Sequence, residues 1–377
     1  MNRKKLTGAV LLLGAPNVYA DILHVTGFKS PDPVVCLRDG KRVFLVVPRM
    51  EIGRARAENP ALRSLTPEDL ALPRKRRRKL SEWALAVARR AGVRAVTVPG
   101  VFPVGAARAL EKRGLRVRVA ETAVCPDRAV KTAAQVEKIR AVQHATAHAM
   151  RQAFAAIENA RVDGRGQLRE GAALLTAEGL RRRINRVLLD RDCFGGEPIV
   201  ACGPRSSDPH WIGEGPLLAG QPIVLDIFPR HMGTGYWGDM TRTVAKGRAA
   251  PELARMHRAV RRAQEAALAA VRAGVRGATI HERARAVFRD LDFPDRTTGD
   301  GVPEGFIHGT GHGVGLEIHE APSLTAAGGP LRAGNVVTVE PGLYYRGIGG
   351  VRIEDTVVVT REGCEILAAC PKPLVIP

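Results

Sequence analysis

Short apolar runs alternate with stretches of helical periodicity along the first third of the chain. Ala9–Leu13, Val34–Leu37, Val43–Val47 and Ala95–Val98 read as buried strands, while Ser81–Ala91 and Val104–Arg113 space their apolar residues as helices do. This alternation predicts an α/β unit on a mixed or parallel sheet. The pattern breaks at Cys125-Pro126-Asp127, and an Ala/Gln/Lys/Glu-rich stretch from Thr132 to about Ile157 then predicts one long helix. A domain boundary is expected just before it, dividing the chain into 1–128 and 129–377.

Beyond a second helix over Leu174–Leu189 the pattern becomes strand-like in Pro198–Cys202, Pro222–Phe228, Tyr236–Val244, Val336–Tyr344 and Val351–Val359. Helices over Pro251–Ala273 and Thr279–Leu291 separate the third of these from the fourth. Long helices with strands joined by hairpins predict an α+β domain, an antiparallel sheet covered by helices.

Composition narrows the class. In 377 residues, 45% apolar and 25% charged, the balance is that of a globular chain. No run of about 18 apolar residues is present, which excludes a transmembrane helix. Lys4-Lys5, the apolar Gly8–Ala15 and Val18-Tyr19-Ala20 imitate an export signal, but the apolar stretch is short and stops at Pro16-Asn17. A buried strand of a cytoplasmic protein is the better expectation. Six cysteines without a C-x-x-C pair read as reduced thiols.

The formal charge of +20 invites a polyanion-binding reading. Residues 1–128 hold 26 Lys and Arg against 11 Asp and Glu, a balance of +15, so the excess belongs to the first unit. Its densest part, Arg74 to Lys79, reads as a solvated loop before a helix, with few aromatics on which bases would stack. Nucleic acid is the weaker reading.

The chemistry lies in the second unit. Asp226 and Asp239 sit in strand-forming segments on either side of the turn Pro229–Gly233, placed so that they face each other in a hairpin. Glu340 and Glu354 are placed the same way about the turn Arg346–Gly349. Like charges facing on a sheet destabilise it, and burying them unpaired costs more. A cation between each pair would resolve both conflicts. A further signal is His308-Gly-Thr-Gly-His312-Gly-Val-Gly-Leu-Glu-Ile-His319, where alternate glycines let the backbone approach a ligand closely. It fits neither the dinucleotide fingerprint nor the P-loop. His210, in Asp208-Pro-His-Trp211, is a weaker candidate, since a lone loop histidine is usually structural.

Asp226, Asp239, His312, Glu340 and Glu354, in this order and in segments such as Gly238–Thr243, His308–Gly315, Val339–Gly342 and Arg352–Asp355, resemble the M24 metallopeptidases, the pita-bread fold of prolidases, aminopeptidases P and methionine aminopeptidases. Tyr19–Phe28 resembles the creatinase-like domain that precedes the catalytic domain in the proline-directed branch. The resemblance implies a creatinase-like α/β N-terminal domain followed by an α+β pita-bread domain with a curved antiparallel sheet. It also implies a dinuclear peptidase hydrolysing Xaa-Pro bonds of short peptides through a metal-bridging hydroxide, and a homodimer.

By the same resemblance Asp226 chelates one metal, Asp239 and Glu354 bridge both, and His312 and Glu340 complete the other. Glu340 is the proton shuttle, His210 and His319 steady the scissile carbonyl, and His308 lines the site. Arg352 orients Glu354 or meets a substrate carboxylate. Oxygen-rich ligation with one imidazole suits Mn²⁺ first, then Co²⁺ or Zn²⁺. Creatinase shares the fold without needing metals, so keeping all five ligand types favours the peptidase. Twelve residues separate Asp226 from Asp239, two more than the common family pattern, which puts Arg230 and His231 at the rim. Trp211 and Trp237 flank motif residues and wall a pocket or pack the sheet. The alternative within the fold is a peptidase that ignores proline or trims from the carboxyl end, with Arg205, Arg230 or Arg352 holding the terminal carboxylate.

Overall fold

Six strands make the sheet of the first unit: β1 (Ala9–Gly14), β2 (Val34–Asp39), β3 (Arg42–Val46), β4 (Arg63–Leu65), β5 (Ala95–Val98) and β6 (Arg116–Val119), in the order β4-β3-β2-β1-β5-β6. The computed structural model describes residues 8–377, so Lys4-Lys5 of the signal-like segment lies outside the described residues. The sheet is mixed: β1 runs antiparallel to β2 and parallel to β5. Strand alternation explains the uninterrupted apolar run of β1. Leu11 and Leu13 enter one core with Trp83, Leu85 and Leu110, while Val10 and Leu12 enter another with Ile22, Phe28 and Cys36. Helices α1 (Ala20–Thr26) and α2 (Ile52–Glu58) contribute to the second core, α3 (Leu80–Ala91) and α4 (Val104–Glu111) to the first.

The basic run is partly structural. Arg77 pairs with Glu68 at 2.9 Å and donates to the Leu72 carbonyl at 2.7 Å, and the Trp83 indole donates to the Arg77 carbonyl at 2.7 Å. Arg74, Lys75, Arg78 and Lys79 are exposed. All six cysteines are free thiols. Among the described residues, no helix is long and apolar enough to cross a membrane.

A second compact unit runs Ala129–Pro377. Its first helix, α5 (Ala133–Asn159), starts where the sequence places it because Thr132 and Gln135 form a capping box. Helix α6 (Ala177–Leu189) starts three residues later than expected. Thr176 caps it, and Ala173–Leu174 pairs with Leu168–Glu170 instead of joining the helix. Helix α7 (Pro251–Ala270) opens on a proline at its first turn, where the missing N–H costs nothing, and α8 (Gly277–Asp290) follows.

Two antiparallel ladders carry the site. One contains Ile199–Cys202, Ile223–Ile227 and Met240–Lys246 in that order, with Val375–Ile376 added in parallel. The other orders Glu320–Leu324, Gly311–Gly313, Val336–Val339, Asp355–Val359 and Cys364–Ile366. The hairpin Gly342–Tyr345/Gly349–Arg352 connects them, because Thr243 Oγ1 accepts from the Arg352 N–H at 3.0 Å and donates to its carbonyl at 3.1 Å. Two segments expected as single strands are therefore interrupted, one at Glu340-Pro341 and one at Ile353-Glu354. Pro341 has no N–H for the ladder, and both interruptions fall on an inward-facing glutamate. Helices α7 and α8 close the core over these strands through Met256, Val260, Ile280 and Phe288.

Candidate functional site

The strand register sets Asp226 opposite Thr241 and Ile227 opposite Met240. Asp226 therefore does not face Asp239 directly, as the hairpin placement predicts. The bridge between Arg230 and Trp237 keeps the same register and centres the turn one residue later. Asp239 and Thr241 still share parity, so both aspartates reach one face along a diagonal. The second placement is met directly: the register pairing Gly342 with Arg352 and Val339 with Asp355 sets Glu340 opposite Glu354 at the break between ladders. His312 enters from Gly311–Gly313, whose neighbour is Val336–Val339.

Donor atoms of Asp239, His312 and Glu354 lie within 4.8 Å of one another. His312 Nε2 is 3.1 Å from Glu340 Oε1 and 3.6 Å from Asp239 Oδ2. The Thr241 hydroxyl lies 2.8 Å from Asp226 Oδ1 and 2.7 Å from Glu354 Oε2, which ties the remaining carboxylate to the group. Five residues from five segments thus converge.

Their protonation reflects crowding. Burial, then the charges of Glu354, Asp226 and Glu340, raise Asp239 well above the carboxylate range; burial, then Glu340 and Asp226, do the same to Glu354. Burial also works against ionised Glu340, but the hydrogen bond and charge of His312, with His308 and Arg352, pull it down to about 2. Burial opposes the imidazolium of His312 as well, and is outweighed by Glu340, so its pKa rises. Crowding of the carboxylates thus favours protonation of Asp239, Glu354 and His312.

The donor set fits divalent cations. Glu354 Oε1 is buried without a hydrogen-bond partner, the signature of an oxygen shaped for something other than protein. His312 Nδ1 lies 3.2 Å from the Gly313 carbonyl; donation there leaves Nε2 as the ligating nitrogen. Four carboxylates and one imidazole are a hard, oxygen-rich set.

Several residues hold the group without a signal in the sequence. Gln143 of α5 is fully buried and brackets Asp239: its Nε2 donates to the Asp239 carbonyl at 2.6 Å and its Oε1 accepts the Asp239 N–H at 2.7 Å. Gly238 permits this, since a Cβ there would lie 2.6 Å from Gln143 Oε1. Replacing Gln143 by Leu is expected to destabilise the chain by about 1–3 kcal/mol through unpaired backbone groups, read by denaturant unfolding. Thr338 Oγ1 accepts from the His312 N–H at 3.0 Å and donates to Glu340 at 3.0 Å. Thr241 and Thr338 could have been sought by strand parity with the acids; Gln143 could not.

The glycines around His312 serve a different purpose from the one expected. A Cβ at Gly311 would lie 2.0 Å from the Thr338 carbonyl oxygen, and one at Gly315 would lie 2.5 Å from a carboxylate oxygen of Glu320. They let protein pack on protein rather than admit a ligand.

His308 is oriented by a chain. Its Nδ1 lies 2.7 Å from the Gly309 carbonyl and its Nε2 2.9 Å from the Tyr344 hydroxyl, which accepts from Arg352 Nη1 at 2.6 Å. Burial lowers the His308 pKa and keeps it neutral. Arg352 also donates to Asp226 Oδ2 at 2.8 Å and to Thr241 Oγ1 at 3.2 Å. The residue is only 4% exposed, and the carboxylate its guanidinium hydrogen-bonds directly is Asp226 rather than Glu354. Tyr344 was not singled out in the sequence, where it reads as an ordinary strand aromatic.

His319 packs edge-on against His312 with ring centroids 4.2 Å apart. Burial, then the charge of His312, lowers its pKa. His210 is exposed on its loop, yet near enough for its charge to disfavour protonation of His308 and His319. Trp211 lies under the Arg205 guanidinium at 4.2 Å, and Arg205 also pairs with Glu214. Trp237 donates from its indole to the Leu316 carbonyl at 3.2 Å. Arg230 donates to the Gly235 carbonyl and His231 accepts from Gly233 and Thr234, so both rim residues organise their own turn.

Residues 137–361 match the model of metallopeptidase family M24. The uncharacterized peptidase YqhT of Bacillus subtilis is 39% identical over 187 residues, 49% of this chain and 50% of its own, so the chain spans about half the length of that relative. An Xaa-Pro dipeptidase of Pyrococcus horikoshii is 27% identical over 376 residues, covering 99% of this chain and 95% of its own. The solved structure of an Xaa-Pro dipeptidase from Bacillus anthracis superposes with a TM-score of 0.82 at 23% identity, covering 98% of this chain and 95% of that one.

Proposed function

The chain belongs to metallopeptidase family M24, and on that premise we propose that it hydrolyses Xaa-Pro bonds of short peptides with two divalent cations, Mn²⁺ foremost. Its fold is the creatinase-like domain followed by the pita-bread domain. The observation that carries the reading is the convergence of Asp226, Asp239, His312, Glu340 and Glu354, with a Glu354 oxygen buried and unpartnered. The full-length likeness to an Xaa-Pro dipeptidase supports the proline preference.

Asp226, Asp239 and Glu354 would hold one cation, and Asp239, Glu354, His312 and Glu340 the other. When bound, the cations neutralise the four carboxylates, polarise the scissile carbonyl and supply a nucleophile from water at neutral pH. Glu340, ionised and fixed by Thr338, accepts the proton released as water attacks and returns it to the leaving nitrogen. His319, whose pKa is lowered by desolvation and by the neighbouring charge of His312, and His210 would donate hydrogen bonds to the carbonyl oxygen as negative charge develops there. Arg352 and Tyr344 act one step removed, holding Asp226 and His308.

Metal binding is expected to depend on pH with a definite sign. Asp239, Glu354 and His312 all hold protons more tightly in the metal-free fold than they do ordinarily, so each must release its proton to ligate. Their raised pKa values stabilise the metal-free fold at low pH, and that contribution is lost as pH rises through them. The increment in Tm produced by Mn²⁺ is therefore expected to be largest above neutral pH and to shrink toward about pH 5.5. Glu340, already ionised, adds nothing in that window. An equal increment at both ends, by scanning calorimetry, would contradict the assignment.

A peptide panel tests the function itself. Xaa-Pro dipeptides, Xaa-Pro-Yaa peptides and amine-blocked peptides are incubated with the Mn²⁺-loaded chain. Cleavage at Xaa-Pro is expected, and the first two classes separate a prolidase from an aminopeptidase P. Cleavage of blocked peptides alone would replace this reading with the carboxyl-end alternative.

A further inference from the structure

The segment between Gly313 and Glu320 carries His319, and it is folded around a buried ion pair that the metal group does not use. Glu320 Oε1 lies 2.7 Å from Lys131 Nζ, and both side chains are only 2% exposed. On the loop side, the Glu317 N–H points to Glu320 Oε2 at 3.4 Å, and Gly315 lies so close that any Cβ would strike the carboxylate. The loop therefore wraps a charge, and a side chain at position 315 would have to displace the carboxylate that Lys131 holds.

The other partner is anchored independently. The Lys131 N–H donates to the Gly334 carbonyl at 2.8 Å, Val130 bridges Asn335, and the Asn335 side chain donates to the Ala129 carbonyl at 2.8 Å. Thr132, next in sequence, caps α5, the helix whose Gln143 grips Asp239. Lys131 is thus tied to the scaffold that sets the acids. Trp237, two residues before Asp239, closes the opposite side of the loop, through its N–H to the Gly315 carbonyl at 2.9 Å and its indole to the Leu316 carbonyl at 3.2 Å.

We propose that Lys131 and Glu320 are a positioning pair for the reaction, setting the Val314–His319 loop so that His319 lies against His312 and faces the reacting carbonyl. The proposal rests on the peptidase reading for its kinetic consequence only. A charge at position 320 can be buried because Lys131 meets it, and the loop takes one conformation because the carboxylate is its core.

Lys131→Met keeps the volume and removes the charge, and the double variant Lys131→Met with Glu320→Gln removes both charges in case the single one folds poorly. Hydrogen exchange of the 313–320 amides is expected to rise about tenfold in either variant relative to the unmodified chain. Unchanged protection overturns the proposal whether or not the chain cleaves any peptide. On an Xaa-Pro substrate, Lys131→Met is expected to lower kcat about ten- to a hundredfold with little change in KM. In a His319→Ala background it is expected to lower kcat less than about twofold, because the pair acts through that imidazole. A full multiplicative loss there would mark a general structural role and overturn the proposal. An unmodified chain inactive on every Xaa-Pro peptide would defeat the functional reading instead, and the exchange measurement still decides the pair.

Discussion

Asp239→Asn is expected to empty the metal site and abolish hydrolysis while making the metal-free chain more stable. Asp239 is buried beside three other carboxylates, and its raised pKa records the work of ionising it there. Asparagine keeps the shape and removes the charge, so the repulsion disappears together with the bridging ligand. Hydrolysis of an Xaa-Pro peptide should fall by about 10³-fold or more, since a lost ligand removes both the nucleophile and the Lewis acid. Metal per chain should drop, and the Tm of the chelated variant should exceed that of the chelated parent at neutral pH. Unchanged metal content and unchanged rate would refute the assignment, and a raised Tm excludes misfolding as the cause.

Arg242→Met is expected to be the most damaging single change to the fold. Arg242 is only 1% exposed, and its guanidinium is saturated. Nη2 donates to Asp355 Oδ1 at 2.8 Å and to the Cys370 carbonyl at 3.0 Å, Nε donates to the Pro371 carbonyl at 3.0 Å, and Nη1 donates to the carbonyls of Thr241 and Glu354. One side chain thus joins the strand after Asp239, the strand after Glu354 and the C-terminal segment. Methionine preserves much of the volume but leaves Asp355 Oδ1 without its guanidinium partner, with only Lys372 and Gln264 on Oδ2, and strands the carbonyls. Breaking a buried pair in this way costs about 3–5 kcal/mol, a fall in Tm of roughly 6–20 °C for a domain of this size. Because Thr241 and Glu354 lose their backbone anchor, metal affinity should fall with stability. A shift under about 1 kcal/mol would show that the network is redundant.

How much was legible depended on whether a residue's role followed from its own segment. The strands of the first unit were readable because β1 is buried on both faces, which writes a continuous apolar run into the chain. The four acids were readable because hairpin geometry converts spacing into proximity, and Glu340 lies opposite Glu354 as that spacing implies, while His312 stood out in its glycine-rich motif. The same geometry placed Asp226 against the wrong partner, since the composition of the turn from Pro229 to Tyr236 does not fix its centre to one residue. Gln143 looks like any polar residue of a long helix, and its burial exists only once Gly238 brings the Asp239 backbone beneath it. The glycines flanking His312 pointed to a close approach, but sequence does not say whether ligand or protein comes close. Arg352 was misdirected for a similar reason: its nearest acid in sequence is Glu354, and its partner in space is Asp226.

The central claim is that hydrolysis of Xaa-Pro bonds requires divalent cations held by these five residues. Titrating chelated protein with Mn²⁺, while following metal bound per chain and cleavage of an Xaa-Pro dipeptide and an Xaa-Pro-Yaa peptide in the same samples, tests it most directly. The account predicts a silent metal-free chain whose activity rises with occupancy and saturates at two ions per chain. Full activity in the chelated chain, or saturation of binding with both peptides left intact, would contradict it.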